Sequence, residues 1–220
     1  KGNEMAGIAG IEARGRQEEV GRMLRRILHR GRAGHVVLEN YEVTLGAVWT
    51  SAQASRVLSP GFDKQPASIP EALVKPAELA CEWRPFAEAV ALPGGLLLAR
   101  DRLGVRPLYY GYTRDEHLCF ASEVKALLEV TQEVNEFPPG CIYQTHRGFS
   151  EYARLQPSAT LDWPPAQIVA ELRRLLEQAV ERRISDRIMG SLLSGGLDSN
   201  VIAALARPRV LDLHTFAGGL

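Results

Sequence analysis

The sequence predicts an α+β region followed by the start of an α/β region, and three observations support this division. Residues 6–145 contain short apolar segments separated by turn residues, which is typical of antiparallel strands joined by hairpins. Residues 165–180 carry apolar side chains at helical spacing. From residue 188 onward an apolar segment, a helical segment and a second apolar segment follow in turn, an order that favours a parallel sheet. We predict one domain over residues 1–157 and a second over 158–220.

The first region opens with a short buried strand over residues 6–11. A helix is predicted over residues 17–29, because apolar side chains recur there every three or four residues, at Val20, Met23, Leu24, Ile27 and Leu28. Strands follow over residues 36–38 and 43–49. Residues 51–76 are rich in Pro, Ser and Ala, so we predict a loop.

Two hairpins are predicted in the middle of the chain, around the turn residues Pro93-Gly94-Gly95 and Arg114-Asp115-Glu116. The four strands that they join cover residues 86–91, 96–100, 108–112 and 117–121. A short helix over residues 123–130 and a strand over 141–145 complete the region. Because the strands are joined by hairpins, we expect largely antiparallel sheets.

The second region begins with a helix that opens at Pro164-Pro165, where proline suits the first turn. Its apolar positions are Ile168, Leu172, Leu175, Leu176 and Val180. A buried strand over residues 188–193, a helix over 200–206 and a strand over 210–216 follow. One strand–helix–strand unit cannot cover both faces of a parallel sheet, so we expect further chain or a partner chain to complete this fold.

Composition and charge argue against several classes of protein. The chain has 220 residues, 26 of them basic and 26 acidic, so its net charge is zero and we expect neither nucleic acid nor an anionic membrane as partner. No apolar segment is long enough to span a bilayer and no secretory segment follows Lys1, which predicts a cytoplasmic protein. Cys81, Cys119 and Cys141 are widely spaced, so neither a disulfide framework nor a zinc site is expected.

The segment Ser194-Gly195-Gly196-Leu197-Asp198-Ser199 stands between the predicted strand and helix. Such a turn directs several backbone N–H groups at one point, and the helix N-terminus adds partial positive charge there. The glycines permit unusual φ values and the serines add hydroxyl groups. These features predict a phosphate-binding loop; the alternative is a glycine-rich turn that caps the helix through Ser194 or Asp198. The lysine of a Walker loop is absent, which argues against a kinase or GTPase.

The SGGxDS order resembles the PP-loop of ATP pyrophosphatases, and other motifs resemble the asparagine synthetase family. Met5–Gly10 is similar to the family's MCGIAG start, and Arg100–Tyr110 to its RDxxGxxPLYY segment. Four shorter matches occur in the family's order: Leu28–Gly31 with the start of HRGPD, Phe120–Leu127 with FASExKAL, Pro138–Gly140 with PPG, and Thr215–Gly219 with TFxxG.

The resemblance implies a fold and an activity. The first domain would be a class II glutamine amidotransferase, a four-layer αββα Ntn-hydrolase-like sandwich. The second would be the beginning of a PP-loop domain of the adenine nucleotide alpha hydrolase type. The implied activity is that of an ATP-dependent carbon–nitrogen ligase that adenylates a carboxylate, aspartate in the parent family, and lets an amine displace AMP.

The departures from the family concern glutamine hydrolysis. Ala6 stands where the family has its nucleophilic Cys, residues precede it, and a methyl group supplies no nucleophile. Arg32 and Ala33 replace the Pro-Asp of HRGPD, and no RLSIxD or NGEIYN segment is found. We therefore expect a chain without glutaminase activity and with no catalytic residue of its own in this stretch. The amine would come from free ammonia or from the substrate itself, as in β-lactam synthetases and lasso-peptide cyclases. A non-catalytic scaffold protein is the alternative of another class.

The resemblance also implies roles for individual residues. The backbone and hydroxyl groups of Ser194 through Ser199 would hold the phosphates of ATP, and Asp198 would help to place Mg²⁺. The alternative for Asp198 is a charge that complements the helix dipole. Leu193 and Gly218 match positions that line the adenine, although a core role for Leu193 is also open. The expected partners are ATP, aspartate or a peptide-derived carboxylate, and a second copy of the chain or a partner peptide or protein.

Three further interpretations concern structure. An Arg100–Asp101 pair is expected to order the turn between two strands. Glu123 and Lys125 are expected at a domain contact. His29, at a helix end, is expected to be a paired histidine without a role in proton transfer.

Overall fold

The structure is a computed structural model, and it describes residues 7–50, 85–156, 160, 162–184 and 187–218. The chain forms two compact units, one ending at Gln156 and the other comprising the residues that follow. Each unit is described separately. The predicted loop over residues 51–76, Ala6 and Cys81 lie outside the described residues.

The first unit contains two antiparallel sheets. The larger has six strands in the order β2-β3-β1-β7-β6-β8, where β1 is Gly7–Ile11, β2 Gly34–Asn40, β3 Val43–Trp49, β6 Tyr109–Tyr112, β7 Leu118–Ala121 and β8 Asn135–Glu136. The smaller has the order β10-β9-β5-β4, where β4 is Ala87–Leu92, β5 Gly95–Arg100, β9 Cys141–Gln144 and β10 Gly148–Glu151. Every pairing in both sheets is antiparallel, as the hairpin signals predicted.

Helices cover one face of the larger sheet, and the smaller sheet covers the other. Helix α1 (Gln17–Arg26) and the short helix α2 (Val124–Leu127) pack on alternate side chains of β1, β3 and β7. The intervening side chains of the same strands meet β4, β5 and β9 across the sheet interface. This alternation is the two-residue period of a strand. The described residues thus supply three layers, one of helices and two of sheets.

Strand β1 lies at the centre of the larger sheet, and Gly10 shows how tightly it is held. A Cβ added to Gly10 would lie 2.6 Å from Cζ of Phe120 and 2.8 Å from the carbonyl oxygen of Thr44. Only a residue without a side chain fits between the two neighbours of this strand. The packing explains the second glycine of the Gly7-Ile8-Ala9-Gly10 segment.

The boundaries of several elements differ from the prediction. The predicted helix over residues 17–29 ends at Arg26 and continues as a 3₁₀ turn over Leu28–Arg30. The helix predicted over residues 123–130 is a single turn. Strands β8 and β10 were not predicted, because two to four residues with Gly, Ser and Glu carry too weak a pattern.

The second unit has a helix and a strand–helix–strand segment. Its elements are α3 (Pro165–Glu181), β11 (Ile188–Leu192), α4 (Leu197–Ala206) and β12 (Asp212–Phe216). Strands β11 and β12 pair in parallel, with Ile188 opposite Asp212 and Leu192 opposite Phe216. The predicted parallel arrangement is confirmed, and with it the succession of an α+β and an α/β region.

The prediction that the first of these strands is buried was wrong for this structure. Ile188 is 58% exposed and Leu192 is 82% exposed. The apolar positions of α3 behave similarly, since Ile168, Leu172 and Leu175 are exposed and only Val180 is buried. The reason is that burial depends on what covers a strand. The described part of this unit forms a two-stranded sheet with few elements to cover it.

Across the residues that the structure describes, none of the helices has both the length and the apolar character needed to cross a bilayer.

Candidate functional site

The loop between β11 and α4 begins where the parallel pairing ends. The N–H of Leu193 donates to the carbonyl oxygen of Phe216 at 2.8 Å, which extends the ladder by one residue. The chain then turns through Gly195, whose φ of +83° lies in the left-handed region that favours glycine. Gly196 is the N-cap of α4. The loop therefore runs from the carboxyl end of a strand directly to the amino end of a helix.

Backbone donors are available at the start of α4. The N–H groups of Leu197, Asp198 and Ser199 belong to the first turn of a helix, which has no intrahelical acceptors for them. No side chain caps this helix, and no acceptor among the described residues binds these three groups. The alternative of a helix capped by Ser194 or Asp198 is not observed. Three N–H groups at the positive end of the helix dipole can thus bind an anion.

The two serine hydroxyls of the loop meet above the helix end. Oγ of Ser194 lies 3.0 Å from Oγ of Ser199, and the N–H of Gly196 donates to the same Ser194 oxygen at 3.4 Å. Ser199 Oγ also donates to the carbonyl oxygen of Gly196 at 3.0 Å. Ser194 and Gly196 are exposed and Ser199 is half-buried, so the loop is accessible to solvent. A phosphate oxygen that entered here would find hydroxyl and N–H donors within one loop.

Asp198 is the acidic residue of the first turn of α4, and it is exposed. Within the described residues no three His, Cys, Asp or Glu side chains come together as ligands for a metal ion. A carboxylate in this place can supply one oxygen ligand to a hard cation such as Mg²⁺. The remaining ligands would have to come from phosphate oxygens or water.

Leu193 and Gly218 lie at the carboxyl-terminal end of the two-stranded sheet. Leu193 follows β11 and Gly218 follows β12, and the two strands are parallel, so both residues come after carboxyl ends. Leu193 is half-buried and does not belong to a buried core cluster, and Gly218 is exposed. The core role considered for Leu193 is therefore not observed, and both positions remain accessible.

In the first unit, the start of β1 is held by the segment after β7. The N–H of Ile8 donates to Oγ of Ser122 at 2.9 Å, and the N–H of Ser122 donates to the carbonyl oxygen of Ile8 at 2.9 Å. The neighbouring Glu123 binds three basic side chains, namely Nε2 of His29 at 2.9 Å, a guanidinium nitrogen of Arg30 at 3.1 Å and Nζ of Lys125 at 3.1 Å.

These contacts give Glu123 and Lys125 partners within the first unit. The structure pairs Glu123 and Lys125 with each other, and Glu123 with residues of the 3₁₀ turn, inside one unit. Their expected place at a domain contact stays a prediction. His29 is paired, as expected. Burial opposes ionisation of Glu123, but the hydrogen bonds from Lys125 and Arg30 outweigh it and hold the pKa of this carboxyl below its usual value.

We expect Glu123→Gln to remove stability that depends on pH. The lowered pKa means that the charged form of Glu123 is favoured in the folded state, so its contribution is present above the unfolded pKa of about 4.3 and is lost as the pH falls through the lower, folded value. At pH 7 the variant should be about 1 kcal/mol less stable, because Arg30 loses its counter-charge.

Urea unfolding of both proteins between pH 2 and 7 measures this difference. The two curves should converge at the acidic end, where Glu123 of the native protein is also protonated. Glu42→Gln is the control, because Glu42 is exposed and its ion pair with Arg14 is long, at 3.8 Å. If the difference in the free energy of unfolding between the native protein and Glu123→Gln persists unchanged to pH 2, the stabilisation does not depend on the charge of Glu123.

Arg100 and Asp101 act on the backbone and do not pair with each other, so the expected Arg–Asp pair was wrong. Asp101 is 3% exposed, and its carboxylate accepts hydrogen bonds of 3.0–3.2 Å from the N–H groups of Phe86, Leu103, Val105 and Arg106. Arg100 is 4% exposed and donates to the carbonyl oxygens of Gly104, Arg106 and Phe137 and to the carboxylate of Glu136. The turn from residue 101 to 107 is thus folded around two buried charged side chains. The sequence predicted that these two residues order the turn, but not which groups they bind.

The described residues thus form two stacked antiparallel sheets with helices on one face, followed by a strand–loop–helix unit with a parallel strand pair. Comparison with known proteins agrees. Residues 92–162 match the model of the glutamine amidotransferase domain, and residues 171–220 match the model of asparagine synthase. The predicted resemblance to the asparagine synthetase family is thereby confirmed over these two segments.

Individual asparagine synthetases show the same resemblance. Asparagine synthetase (glutamine-hydrolyzing) 2 of Arabidopsis thaliana is 37% identical over 142 residues, which covers 56% of this chain and 24% of the relative. Asparagine synthetase B (glutamine-hydrolyzing) of Escherichia coli strain K12 is 36% identical over 148 residues, which covers 56% of this chain and 26% of the relative. The chain therefore spans about a quarter of the length of these relatives.

Among solved structures, the glutamine phosphoribosylpyrophosphate amidotransferase from B. subtilis complexed with ADP and GMP aligns with 95% of this chain and 65% of its own. The TM-score is 0.45 and the sequence identity is 14%. The assignment of the fold depends on the sheets described above and on the matched domain models.

Proposed function

We propose that the protein is an ATP-dependent carbon–nitrogen ligase of the asparagine synthetase type. Residues 1–157 would form an amidotransferase-like domain, and residues 158–220 would begin the synthetase domain. The observation that carries the proposal is the loop from Ser194 to Ser199, with its uncapped helix end and paired hydroxyls. Its cofactors would be ATP and Mg²⁺, and its substrate a carboxylate, aspartate in the first instance.

The loop fits the β- and γ-phosphates of ATP. The three N–H groups at the start of α4 and the two serine hydroxyls are donors, which phosphate oxygens require, and the helix dipole favours negative charge. Leu193 and Gly218 would border the adenine at the carboxyl-terminal end of the two-stranded sheet. Asp198 would hold Mg²⁺, which would neutralise charge on the leaving pyrophosphate when bound.

The reaction would proceed by adenylation. A carboxylate oxygen attacks the α-phosphorus of ATP, the bond between that phosphorus and the bridging oxygen breaks, and pyrophosphate leaves. An amine then attacks the acyl carbon, and AMP leaves with the carboxylate oxygen. The donors of the loop would stabilise the negative charge that develops on the departing pyrophosphate.

The amine would be ammonia and not glutamine. Ala6 offers no nucleophile at the family's cysteine position. Arg32 and Ala33 stand in place of a Pro-Asp pair. In the structure they extend the sheet edge, since the N–H of Ala33 donates to the carbonyl oxygen of Trp49 at 2.9 Å. The first domain would then serve as a structural or docking module for a second copy or a partner peptide. A cytoplasmic location stays a prediction.

The amine donor decides between the proposed activity and its alternatives. The whole protein is incubated with MgATP and aspartate, and AMP is measured with ammonium, with glutamine or with neither. We expect AMP and asparagine with ammonium only. AMP with glutamine alone would contradict the loss of glutaminase. In a parallel incubation, a peptide or a β-amino acid replaces aspartate, and AMP formed there without any added amine would favour a cyclase of the lasso-peptide or β-lactam type. The absence of AMP under every condition would favour a scaffold protein.

A further inference from the structure

We propose that Asn200 is a positioning residue that holds the loop from Ser194 to Ser199 ready for a pyrophosphate group. This inference rests on the proposed function, because it concerns how the same loop receives ATP. Asn200 lies in the first turn of α4, its side chain is exposed, and no role was predicted for it.

Asn200 contacts both glycines of the loop. Its side-chain Nδ2 donates to the carbonyl oxygen of Gly195 at 3.3 Å, and its backbone N–H donates to the carbonyl oxygen of Gly196 at 3.2 Å. Glycine has the largest conformational freedom of all residues, and Gly195 occupies the left-handed region with φ of +83°. A side-chain hydrogen bond to this residue limits that freedom.

The bond to Gly195 also sets the direction of a donor. In a trans peptide the C=O of one residue and the N–H of the next point in opposite directions. When Asn200 holds the carbonyl oxygen of Gly195 on the helix side, the N–H of Gly196 is turned to the other side. There it donates to Oγ of Ser194 at 3.4 Å, and that oxygen also lies 3.0 Å from Oγ of Ser199.

The hydrogen-bonded cluster of Ser194, Gly196 and Ser199 therefore keeps its geometry only while the peptide between Gly195 and Gly196 keeps its orientation, and an entering pyrophosphate would exchange these internal bonds for bonds to its own oxygens. A pyrophosphate group presents oxygens from two phosphorus atoms, so it needs several donors at fixed spacing. A single phosphate can be satisfied by fewer donors. Loss of the Asn200 side chain should consequently weaken binding of ATP and pyrophosphate more than binding of AMP. The neutral amide performs this task without adding negative charge next to the phosphates.

The test measures the Kd of MgATP, inorganic pyrophosphate and AMP for the whole protein by isothermal titration calorimetry. For Asn200→Ala we expect the Kd of MgATP and of pyrophosphate to rise about fivefold, the effect of losing one hydrogen bond. The Kd of AMP should stay within about twofold. Alanine is a good helix former, so the fold should be unaffected. Asn200→Gln keeps the amide donor and should recover part of the loss.

Asn135→Ala is the matched control. It removes the same atoms from a side chain of the first unit that donates to Glu133 at 3.1 Å, and it should change none of the three constants. If the native protein binds MgATP and Asn200→Ala binds it equally well, or if AMP is weakened as much as ATP, the role of Asn200 is overturned while the proposed function stands. If the native protein binds neither MgATP nor pyrophosphate, the proposed function fails and this inference fails with it.

Discussion

The Asp198→Ala variant is expected to form AMP at least about 100-fold more slowly than the native protein, because the charge on the leaving pyrophosphate would lose its metal-held stabilisation. Asp198 is exposed and makes no side-chain cap to α4, so its removal should not disturb the fold. The measurement is the rate of AMP formation at saturating ATP and Mg²⁺, with the thermal unfolding temperature recorded for both proteins.

Asp212→Ala provides the comparison for this effect. Asp212 is also an exposed aspartate of the second unit, but it begins β12, at the end of the strand away from the loop. Its ion pair with His214 is exposed and contributes little. Normal AMP formation by Asp198→Ala, or an equal loss in both variants, would remove the metal-holding role.

The second large effect is expected on stability, from Asp101→Ala. Four backbone N–H groups donate to the buried carboxylate of Asp101, and alanine leaves all four without that acceptor. Each unsatisfied buried donor costs about 1–3 kcal/mol, although water entering the turn will satisfy some of them. We therefore expect the free energy of unfolding to fall by about 3–5 kcal/mol, a value reached by few single substitutions.

Urea unfolding measures this loss, and two further variants define its origin. Asp101→Asn keeps one carbonyl oxygen and should lose less than the alanine variant. Glu151→Ala removes an exposed carboxylate whose ion pair with Arg154 is 3.8 Å long, and its free energy should change by less than about 0.5 kcal/mol. A loss below about 1 kcal/mol for Asp101→Ala would show that the four hydrogen bonds do not stabilise the turn.

The parts of the fold that could be predicted are those encoded by neighbouring residues. The hairpin between β4 and β5 follows from Pro93-Gly94-Gly95, and its strands pair with Leu92 opposite Gly95. Helix α1 follows from apolar spacing, and its buried side chains are Val20, Met23 and Leu24. Both signals are local, so the sequence contains them completely.

The parts that could not be predicted depend on residues far apart in the chain. The exposure of Leu192 was missed because an apolar sequence does not reveal whether another element covers it. The partners of Arg100 were missed because a carbonyl oxygen such as that of Phe137 carries no sequence signal. Adjacent opposite charges suggested a pair, whereas both side chains reach backbone groups.

The candidate site shows the same division. The strand–loop–helix order around Gly195 and Gly196 predicts the loop, but its bounds differ from the prediction. Strand β11 ends at Leu192 and α4 begins at Leu197, three residues before the predicted helix, so Asp198 and Ser199 belong to the first turn of α4. The hydrogen bond between the hydroxyls of Ser194 and Ser199 depends on two rotamers, which the sequence does not specify. The contact of Asn200 with Gly195 was missed for that reason, since an asparagine in a first helical turn is otherwise unremarkable.

The most direct test of the account follows the carboxylate oxygen. The whole protein is incubated with MgATP, ammonium and aspartate labelled with ¹⁸O in its carboxyl groups, and the masses of AMP and inorganic phosphate are measured. Carboxylate adenylation transfers one carboxyl oxygen to the nucleotide, so the account predicts AMP heavier by the mass of one ¹⁸O substitution and unlabelled phosphate. Labelled phosphate together with ADP, or AMP without the label, would contradict the proposal of an adenylating ligase.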